Sequence, residues 1–219
     1  MATILCLETA TTNCSVALSV NGSVIALKED NSKQYSHAER LHLFIEEVLK
    51  QSGIGKNELD AIAVSKGPGS YTGLRIGVSA AKGLCFALEL PLISIPTLTS
   101  LALQVTKTSG VIIPMLDARR MEVYAAVYQH DHSEVRETRA EILEDRSFSK
   151  YLEKGAVSFI GNGVAKFKTI CTHPNAVFVE EAMPSAVQMA EMAQKKYTAN
   201  QIEDVAYFEP FYLKDFVGG

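Results

Sequence analysis

The sequence predicts an α/β fold composed of two domains of similar plan, and three observations lead to this prediction. Near-continuous apolar runs at Thr3–Glu8 and Val111–Leu116 are typical of central strands that are covered on both faces. Each run is followed by a segment of alternating polarity and a turn, as in an antiparallel hairpin. Each half then continues with segments of helical periodicity. The second half therefore repeats the plan of the first in looser form, which indicates a duplicated fold.

The first domain opens with a predicted three-stranded antiparallel meander. After the central strand, the segment Cys14–Val20 places larger apolar residues on one side and small residues on the other. Asn21-Gly22 follows, and this pair is the strongest short hairpin signal because both turn positions need a positive φ. Ser23–Leu27 is the third predicted strand.

Two helices and two strands complete the first domain. The first helix begins at a capping box formed by Ser36 and Glu39, and Gly53 ends it. Its apolar residues repeat at helical spacing, and they are Leu41, Phe44, Ile45, Val48 and Leu49. The elements that follow are strand Asp60–Ser65, helix Thr72–Leu88 and strand Pro91–Ile95.

A short helix, Leu98–Val105, comes before the best linker candidate, residues 106–110. We therefore expect domains at 1–105 and 106–219. The elements predicted for the second domain are strands Val111–Leu116, Glu122–Gln129, Glu134–Ile142 and Val157–Gly161 and helices Ser147–Lys154 and Ser185–Tyr197.

Composition limits the classes of function. The net charge is −4 and the basic residues are scattered, which argues against a protein that binds nucleic acid by itself through phosphate contacts. The four cysteines form no C-x-x-C pair and lie in apolar segments, so we expect buried thiols in a reducing compartment. No apolar stretch approaches the roughly 20 residues that span a bilayer. A cytoplasmic protein without membrane contact is expected.

The stretch KGPGSYTGLRIGVS, residues 66–79, places a glycine-rich loop before the second helix. Backbone N–H groups at such a position favour anions. However, Gly67, Gly69 and Gly73 have the spacing G-x-G-x-x-x-G, which matches neither the dinucleotide fingerprint nor a P-loop. A turn with a helix cap is favoured over phosphate binding. The weaker candidate ligand-binding residues are Glu8, Thr9, Gly67, Gly69, Ser70 and Asp117.

The helix after this loop has two distinct stripes. One stripe is apolar and is expected to face the sheet, and it contains Leu74, Val78, Ala81, Cys85 and Leu88. The neighbouring stripe is made largely of small residues and allows close approach of another backbone, and it contains Gly73, Gly77, Ala80, Leu84 and Ala87. Its partner is either the 36–52 helix or another subunit, and helical spacing alone leaves both open.

Histidines and carboxylates offer few catalytic arrangements. His37 and His42 are five residues apart, which on a helix separates them too far for a shared metal site, so surface positions are expected. Glu8 and Asp117 are the carboxylates placed as a catalytic pair would be, each at the end of a central strand.

Five segments together resemble the bacterial TsaB (YeaZ-type) family of tRNA threonylcarbamoyladenosine biosynthesis proteins. They are ILCLETATTNCSVAL, AVSKGPGSYTGLRIGVSAAKGL, PTLTSLA, LDARRMEVYAAVY and EPFYLK. The resemblance spans nearly the whole chain, and the glycine-loop and DARRMEVY segments are quite specific to it. Glu8 departs from the Asp expected in the family pattern.

This resemblance implies two tandem ribonuclease-H-like domains of the actin-like ATPase superfamily, each a mixed sheet that opens with an antiparallel meander and is packed by helices. It implies a non-catalytic scaffold subunit that dimerises with its catalytic relative TsaD and is required for threonylcarbamoyl transfer to the adenosine adjacent to the tRNA anticodon. The ATPase TsaE is another implied partner, and a homodimer is implied when TsaD is absent. The tRNA would be contacted only through the complex. This subunit alone would bind no cofactor, with room for ATP or ADP at the complex interface.

The resemblance also implies that the catalytic groups are missing. TsaD holds a metal with an H-x-x-x-H motif, and the corresponding segment here, Pro96 to Leu101, contains no ligand. Residues 11–13 are Thr, Thr and Asn where the catalytic relative has acidic residues. In the second half, 118–121 replace the glycine-rich phosphate turn expected of an ATP-binding member. No catalytic residue and no metal site are expected.

In this family the first two helices of the N-terminal domain form the heterodimer contact, which favours the interpretation that the small-residue stripe meets a partner. The predicted partner interface contains Leu41, Phe44, Ile45, Gly73, Ile76, Gly77, Ala80 and Leu84. Two other functions stay open. Glu8, Asp117 and the glycine loop fit a free-standing nucleotide-dependent enzyme of the same superfamily, ATPase-like or kinase-like. A metallopeptidase would contain bound zinc.

Overall fold

Two five-stranded mixed sheets organise the chain in the computed structural model, which describes residues 2–32 and 37–214. The strands are β1 (Thr3–Glu8), β2 (Cys14–Val20), β3 (Ser23–Asp30), β4 (Ala61–Gly67), β5 (Leu92–Pro96), β6 (Val111–Asp117), β7 (Glu122–Tyr128), β8 (Glu134–Ile142), β9 (Val157–Ile160) and β10 (Ala176–Val179). The helices are α1 (His37–Ser52), α2 (Tyr71–Leu88), α3 (Thr97–Ala102), α4 (Ser149–Leu152), α5 (Val164–Lys168) and α6 (Ala186–Thr198).

Both sheets have the same strand order and directions. The first has the order β3-β2-β1-β4-β5, with β1 antiparallel to β2 and parallel to β4. The second has the order β8-β7-β6-β9-β10, with β6 antiparallel to β7 and parallel to β9. The predicted duplication and the predicted ribonuclease-H-like architecture are therefore confirmed.

The central strand β1 is apolar throughout because both of its faces are covered. Leu5 and Leu7 pack in a core with α1 and α2, whereas Ile4 and Cys6 pack with α6 on the other face. This two-sided burial explains why the segment lacks polar alternation. The second unit is built in the same way, with Phe159 packed toward α4 and α5 and Ile112 packed toward α3.

The two compact units of the structure have different ranges from the predicted domains 1–105 and 106–219. One unit comprises Met1–Thr97 and Pro184–Gly219, and the other comprises Leu98–Met183. The C-terminal segment belongs to the first unit because Ala186, Met189 and Ala193 of α6 fill the face of the first sheet opposite α1 and α2.

Two short elements, one strand and one α-helix, were not predicted. They are the strand β10 and the helix α5, which have only four and five residues and so show no periodicity. The predicted helices Leu98–Val105 and Ser147–Lys154 are shorter in the structure, where they correspond to α3 and α4. The predicted capping residue Ser36 lies outside the described residues. Among the helices of the described residues, none is long and apolar enough to cross a membrane.

Candidate partner-binding surface

Helices α1 and α2 lie side by side on one face of the first sheet. α1 turns Leu41 and Ile45 toward the sheet, and α2 turns Leu74, Val78 and Cys85 toward it. The apolar stripe predicted for α2 is therefore confirmed. Because each helix buries one side in this core, its opposite side remains available for contact with another molecule.

A groove of about 470 Å³ runs between the outer sides of these two helices. Its lining residues are Ala38, His42, Ile76, Ser79, Ala80, Gly83 and Leu84. The side chains on the α2 side are mostly small or aliphatic. A Cβ atom added at Gly83 would meet nothing within 4 Å, so the groove is open at this point. We call this surface the α1/α2 groove.

Two large apolar side chains project from the same helices. Phe86 of α2 is 85% exposed, and Leu43 of α1 is 55% exposed. Neither was among the predicted interface residues. Their positions contained a usable signal, since each is a large apolar residue that falls outside the sheet-facing stripe of its helix. Exposed phenylalanine and leucine on neighbouring helices are typical of an interaction surface.

The predicted interface residues divide into two groups. Ile76, Ala80 and Leu84 are half-buried and line the α1/α2 groove, and Phe44 is half-buried on α1. Their role at a partner interface stays a prediction. The other four are not available for such a contact, and they are Leu41, Ile45, Gly73 and Gly77, which are all buried in the first unit.

The burial of Gly73 and Gly77 corrects the interpretation of the small-residue stripe. A Cβ atom at Gly73 would overlap the carbonyl oxygen of Thr9, and one at Gly77 would overlap the Thr9 hydroxyl. Both glycines therefore let α2 approach the loop that follows β1. Their closest neighbour is Thr9, although the His37 side chain of α1 would also lie 3.4 Å from a Cβ atom at Gly73. Thr9, a predicted ligand residue, is fully buried in this contact.

The glycine-rich loop uses its backbone amides within its own unit. The Ser70 amide donates to the carbonyl oxygen of Ala10 at 2.7 Å, and the Gly67 amide donates to the Thr97 hydroxyl at 3.1 Å. Ser70 is also the N-cap of α2, because its hydroxyl accepts the Gly73 amide at 3.2 Å. These bonds favour the predicted turn and helix cap.

The remaining space around the loop is filled by other parts of the chain. A Cβ atom at Gly69 would overlap the carbonyl oxygen of Ala10. The Phe211 amide donates to the carbonyl oxygen of Lys66 at 2.7 Å, and the Phe211 carbonyl oxygen would lie 2.9 Å from a Cβ atom at Gly67. The glycines thus accommodate neighbouring backbone where a phosphate would need room.

Glu8 is fully buried at the end of β1 and is tied to its neighbours. Its Oε1 atom accepts the Ala10 amide at 2.7 Å and the Ser65 hydroxyl at 2.8 Å. Burial raises its pKa to about 7, although hydrogen bonds from Ala10, Ser65 and Thr9 oppose the shift. The carboxyl group is thus buried and bonded through Oε1, whereas its Oε2 atom is buried without a hydrogen-bond partner among the described residues.

Asp117 ends β6 and, unlike Glu8, is exposed. Its Oδ1 atom accepts the Arg119 amide at 2.6 Å and pairs with Lys166 Nζ at 3.0 Å. Its own amide donates to the side chain of Asn162 at 2.9 Å. These contacts hold the turn between β6 and β7.

This turn has an unusual backbone. Arg119 and Arg120 have φ angles of 69° and 47°, a region that residues other than glycine and asparagine rarely occupy. Lys166 stabilises the turn from the side, since its Nζ donates to the carbonyl oxygens of Arg120 at 2.6 Å and of Glu122 at 2.9 Å. We call residues 117–122 the arginine turn.

The glycines after β9 also contact their own unit closely. A Cβ atom at Gly161 would overlap the carbonyl oxygen of Met115, and the Gly163 amide donates to that same oxygen at 3.0 Å. The Gly161-Asn162-Gly163 segment therefore packs against the end of β6.

The two histidines of α1 differ in environment. His42 lines the α1/α2 groove, as expected for a surface residue. His37 is buried, and its Nε2 atom hydrogen-bonds the Thr11 carbonyl oxygen at 2.7 Å, so the predicted surface position is wrong. Burial lowers the pKa of His37. Within residues 2–32 and 37–214, no group of three or more His, Cys, Asp or Glu side chains could hold a metal ion.

Comparison with known proteins places this arrangement among proteins of one tRNA modification. The family model described as "TsaD: tRNA N6-adenosine threonylcarbamoyltransferase" matches residues 29–216. The tRNA threonylcarbamoyladenosine biosynthesis protein TsaB of Haemophilus influenzae is 33% identical over 98% of this chain and 94% of its own length.

Two solved structures have a similar fold. YeaZ from Pseudomonas aeruginosa has a TM-score of 0.82 and 26% identity, and the match covers 97% of this chain and all of the other. The activator of the 2-hydroxyisocaproyl-CoA dehydratase from Clostridium difficile has a TM-score of 0.51 and 9% identity, over 91% of this chain and 96% of the other. At that identity the second match concerns the fold alone.

Proposed function

Because the chain belongs to the TsaB family of tRNA threonylcarbamoyladenosine biosynthesis proteins, we propose that it serves this modification as a non-catalytic scaffold subunit. In this proposal it dimerises with a TsaD-type transferase through the α1/α2 groove. The dimer then supports threonylcarbamoyl transfer to the adenosine adjacent to the tRNA anticodon, in the cytoplasm.

The observation that carries the proposal is the exposed apolar character of the α1/α2 pair. Phe86 and Leu43 are large apolar side chains that contact water. Ala80 and Gly83 keep the groove between the helices free of large side chains. Helix axes pack about 8 to 10 Å apart, and small residues at the contact permit the closer part of that range. A partner helix laid in the groove would bury Ile76, Ala80 and Leu84. Phe86 lies outside the groove, beside Lys56 and Leu59, and would contact a partner that extends beyond it.

The environment of the predicted ligand-binding residues supports catalytic silence. Gly67 and Gly69 have neighbouring backbone where a side chain would be, so they serve close packing. Glu8 is fully buried and hydrogen-bonded within its unit. No comparable observation favours the free-standing nucleotide-dependent enzyme. Calorimetric titration of the isolated chain with ATP and magnesium tests that alternative, and tight binding abolished by Glu8→Ala would support it.

The scaffold proposal is tested by light scattering of the chain mixed with a TsaD-type transferase after size-exclusion chromatography. A Cβ atom at Gly83 meets no other atom of the chain within 4 Å, so Gly83→Trp should fill the groove without disturbing the fold of the monomer. We expect this variant to abolish the heterodimer. Ala165→Trp, at an exposed position of α5 in the other unit, is the matched control and should leave the heterodimer intact. Heterodimer formation by Gly83→Trp at wild-type affinity would reject the groove as the interface.

Three further parts of the proposal concern other partners and ligands. The same groove is proposed to form a homodimer when the transferase is absent, so Gly83→Trp should convert a dimer of the isolated chain to a monomer. The ATPase TsaE is proposed to join the heterodimer. ATP or ADP is proposed to bind only at the interface of the complex, which calorimetry on the separate and combined subunits distinguishes.

A further inference from the structure

The arginine turn, residues 117–122, presents two exposed arginines that form no ion pair with the described residues. Arg119 and Arg120 are exposed. No carboxylate of residues 2–32 or 37–214 forms an ion pair with either guanidinium group. Asp117, at the start of the turn, pairs with Lys166 at 3.0 Å. Residues 117–122 contain two arginines and two carboxylates, and Lys166 adds a further positive charge, so the turn together with Lys166 has a formal charge of +1 although the whole chain is acidic.

The backbone of the turn is held in a conformation that its residues do not favour. Both arginines have positive φ angles, which glycine or asparagine would adopt more readily. Lys166, only 15% exposed at its side chain, directs its Nζ to Asp117 and to two carbonyl oxygens of the turn. A lysine is thus used to fix a turn whose own arginines point to solvent. A turn needed only to reverse the chain would not require arginine at either position.

We propose that the arginine turn is a contact for the phosphate backbone of the tRNA. Guanidinium groups bind phosphate oxygens in a bidentate manner, and a rigid turn reduces the entropy lost on binding. Two arginines are too few for the isolated acidic chain to hold RNA, so the contact acts within the complex. The inference rests on the proposed heterodimer, in which the other subunit supplies the remaining affinity.

The test measures tRNA binding to the heterodimer by fluorescence anisotropy at several salt concentrations. Arg119→Ala with Arg120→Ala should weaken binding roughly tenfold and reduce the slope of log K against log salt by about 1.5. Lys107→Ala with Lys154→Ala is the matched control, because it removes the same charge from other exposed positions of the unit. This control should leave both quantities near wild type.

A second variant separates binding from a structural role. Arg119→Asn with Arg120→Gly introduces the residues that tolerate positive φ best, so the melting temperature should rise by about 2 to 4 °C. tRNA binding should nevertheless weaken as in the alanine variant. A merely structural turn would show the rise in stability without the loss of binding, and that result would overturn the proposal.

Light scattering on every variant measures heterodimer formation separately from tRNA binding, so failure of the proposed function is distinguished from failure of this inference. If the wild-type chain forms no heterodimer, the proposed function fails and this inference fails with it. If the heterodimer forms and both arginine variants bind tRNA at wild-type affinity and salt slope, only the inference is overturned. If the arginine variants lose the heterodimer itself, the turn contacts a protein carboxylate, and the phosphate contact is rejected.

Discussion

At the scale of single residues, the glycines of α2 have unlike functions although they share one helix. Gly73 and Gly77 contact the loop after β1, and Gly83 contacts nothing beyond the helix. Helical spacing placed Gly73 and Gly77 on one stripe and suggested a common partner. The sequence did not show that this partner is Thr9, because the position of Thr9 depends on how the loop after β1 folds over α2.

Gly73→Ala and Gly83→Ala should therefore have opposite effects on stability. The new methyl group at residue 73 would overlap a backbone carbonyl oxygen, so the free energy of unfolding should fall by about 1–3 kcal/mol. At residue 83 the methyl group meets open space, and the higher helix propensity of alanine should raise that free energy by about 0.5–1 kcal/mol. Urea denaturation measures both, and equal effects would contradict the assigned contacts.

The buried carboxyl group of Glu8 should make stability depend on pH. Its pKa is about 7 in the folded protein against an ordinary 4.5, so between these values the folded state binds more protons than the unfolded state. The free energy of unfolding should therefore decrease as pH rises through this window. Relative to Glu8→Gln, which cannot ionise, the wild type should lose on the order of 3 kcal/mol between pH 4.5 and pH 8.

Urea denaturation across this pH range checks the prediction for Glu8. Glu46→Gln, at an exposed position of α1, serves as the control and should change with pH as the wild type does. If the wild type and Glu8→Gln keep a constant difference across the range, the buried carboxyl group is not perturbed in the stated direction.

At the scale of elements, the arginine turn shows how a side chain from one element stabilises a connection between two others. Lys166 of α5 donates to Asp117 and to the carbonyl oxygens of Arg120 and Glu122. A single half-buried ammonium group thus satisfies three acceptors. Together these bonds contribute about 1–3 kcal/mol, because Asp117 is exposed and bonds screened by water contribute little.

Lys166→Met should destabilise the protein, whereas Lys168→Met should not. Lys166→Met removes one donor from each of three acceptors, although Asp117 Oδ1 and the Glu122 carbonyl oxygen keep the amides of Arg119 and Ala118. We therefore expect a loss of about 1–3 kcal/mol in the free energy of unfolding. Lys168 pairs with Glu180 at an exposed position, and such pairs contribute about 0–1 kcal/mol. Denaturation midpoints of the two variants measure the difference. Equal midpoints would show that Lys166 does not hold the turn.

Most elements could be predicted from the sequence because their signals are local. The apolar run of β1, the Asn21-Gly22 turn and the helical spacing of α1 each reflect the backbone conformation of the segment that carries them. Strand β10 could not be found, since four residues show no period. The candidate interface could be predicted only in part, because burial of Leu41 and Ile45 depends on which side of the helix meets the sheet.

At the scale of the whole molecule, the first unit consists of two separated segments of chain. Helix α6 contributes Ala186, Met189 and Ala193 to the core that also contains Ile4 and Ile95. The second unit, Leu98–Met183, is continuous in sequence. A fragment that folds as the first unit must therefore contain both segments, whereas a fragment that folds as the second unit needs one continuous segment.

Removal of residues 184–219 should prevent the first unit from folding. The truncated chain would expose the apolar face that α6 covers, so we expect aggregation or loss of cooperative unfolding. The fragment 98–183 contains a complete sheet with helices on both faces, and it should unfold cooperatively by itself. Circular dichroism during thermal denaturation measures both fragments. A truncated chain that melts like the full-length protein would contradict the division into these units.

The position of α6 in the chain also sets the order in which a ribosome completes the two units. All residues of the second unit emerge before α6 does, although β1 is the first strand to be made. At 5 to 20 residues per second, the first sheet waits roughly 5 to 20 seconds with one apolar face uncovered. We expect chaperones to bind nascent chains at this stage, and α6, the last helix to be synthesised, then covers the exposed face of the first sheet.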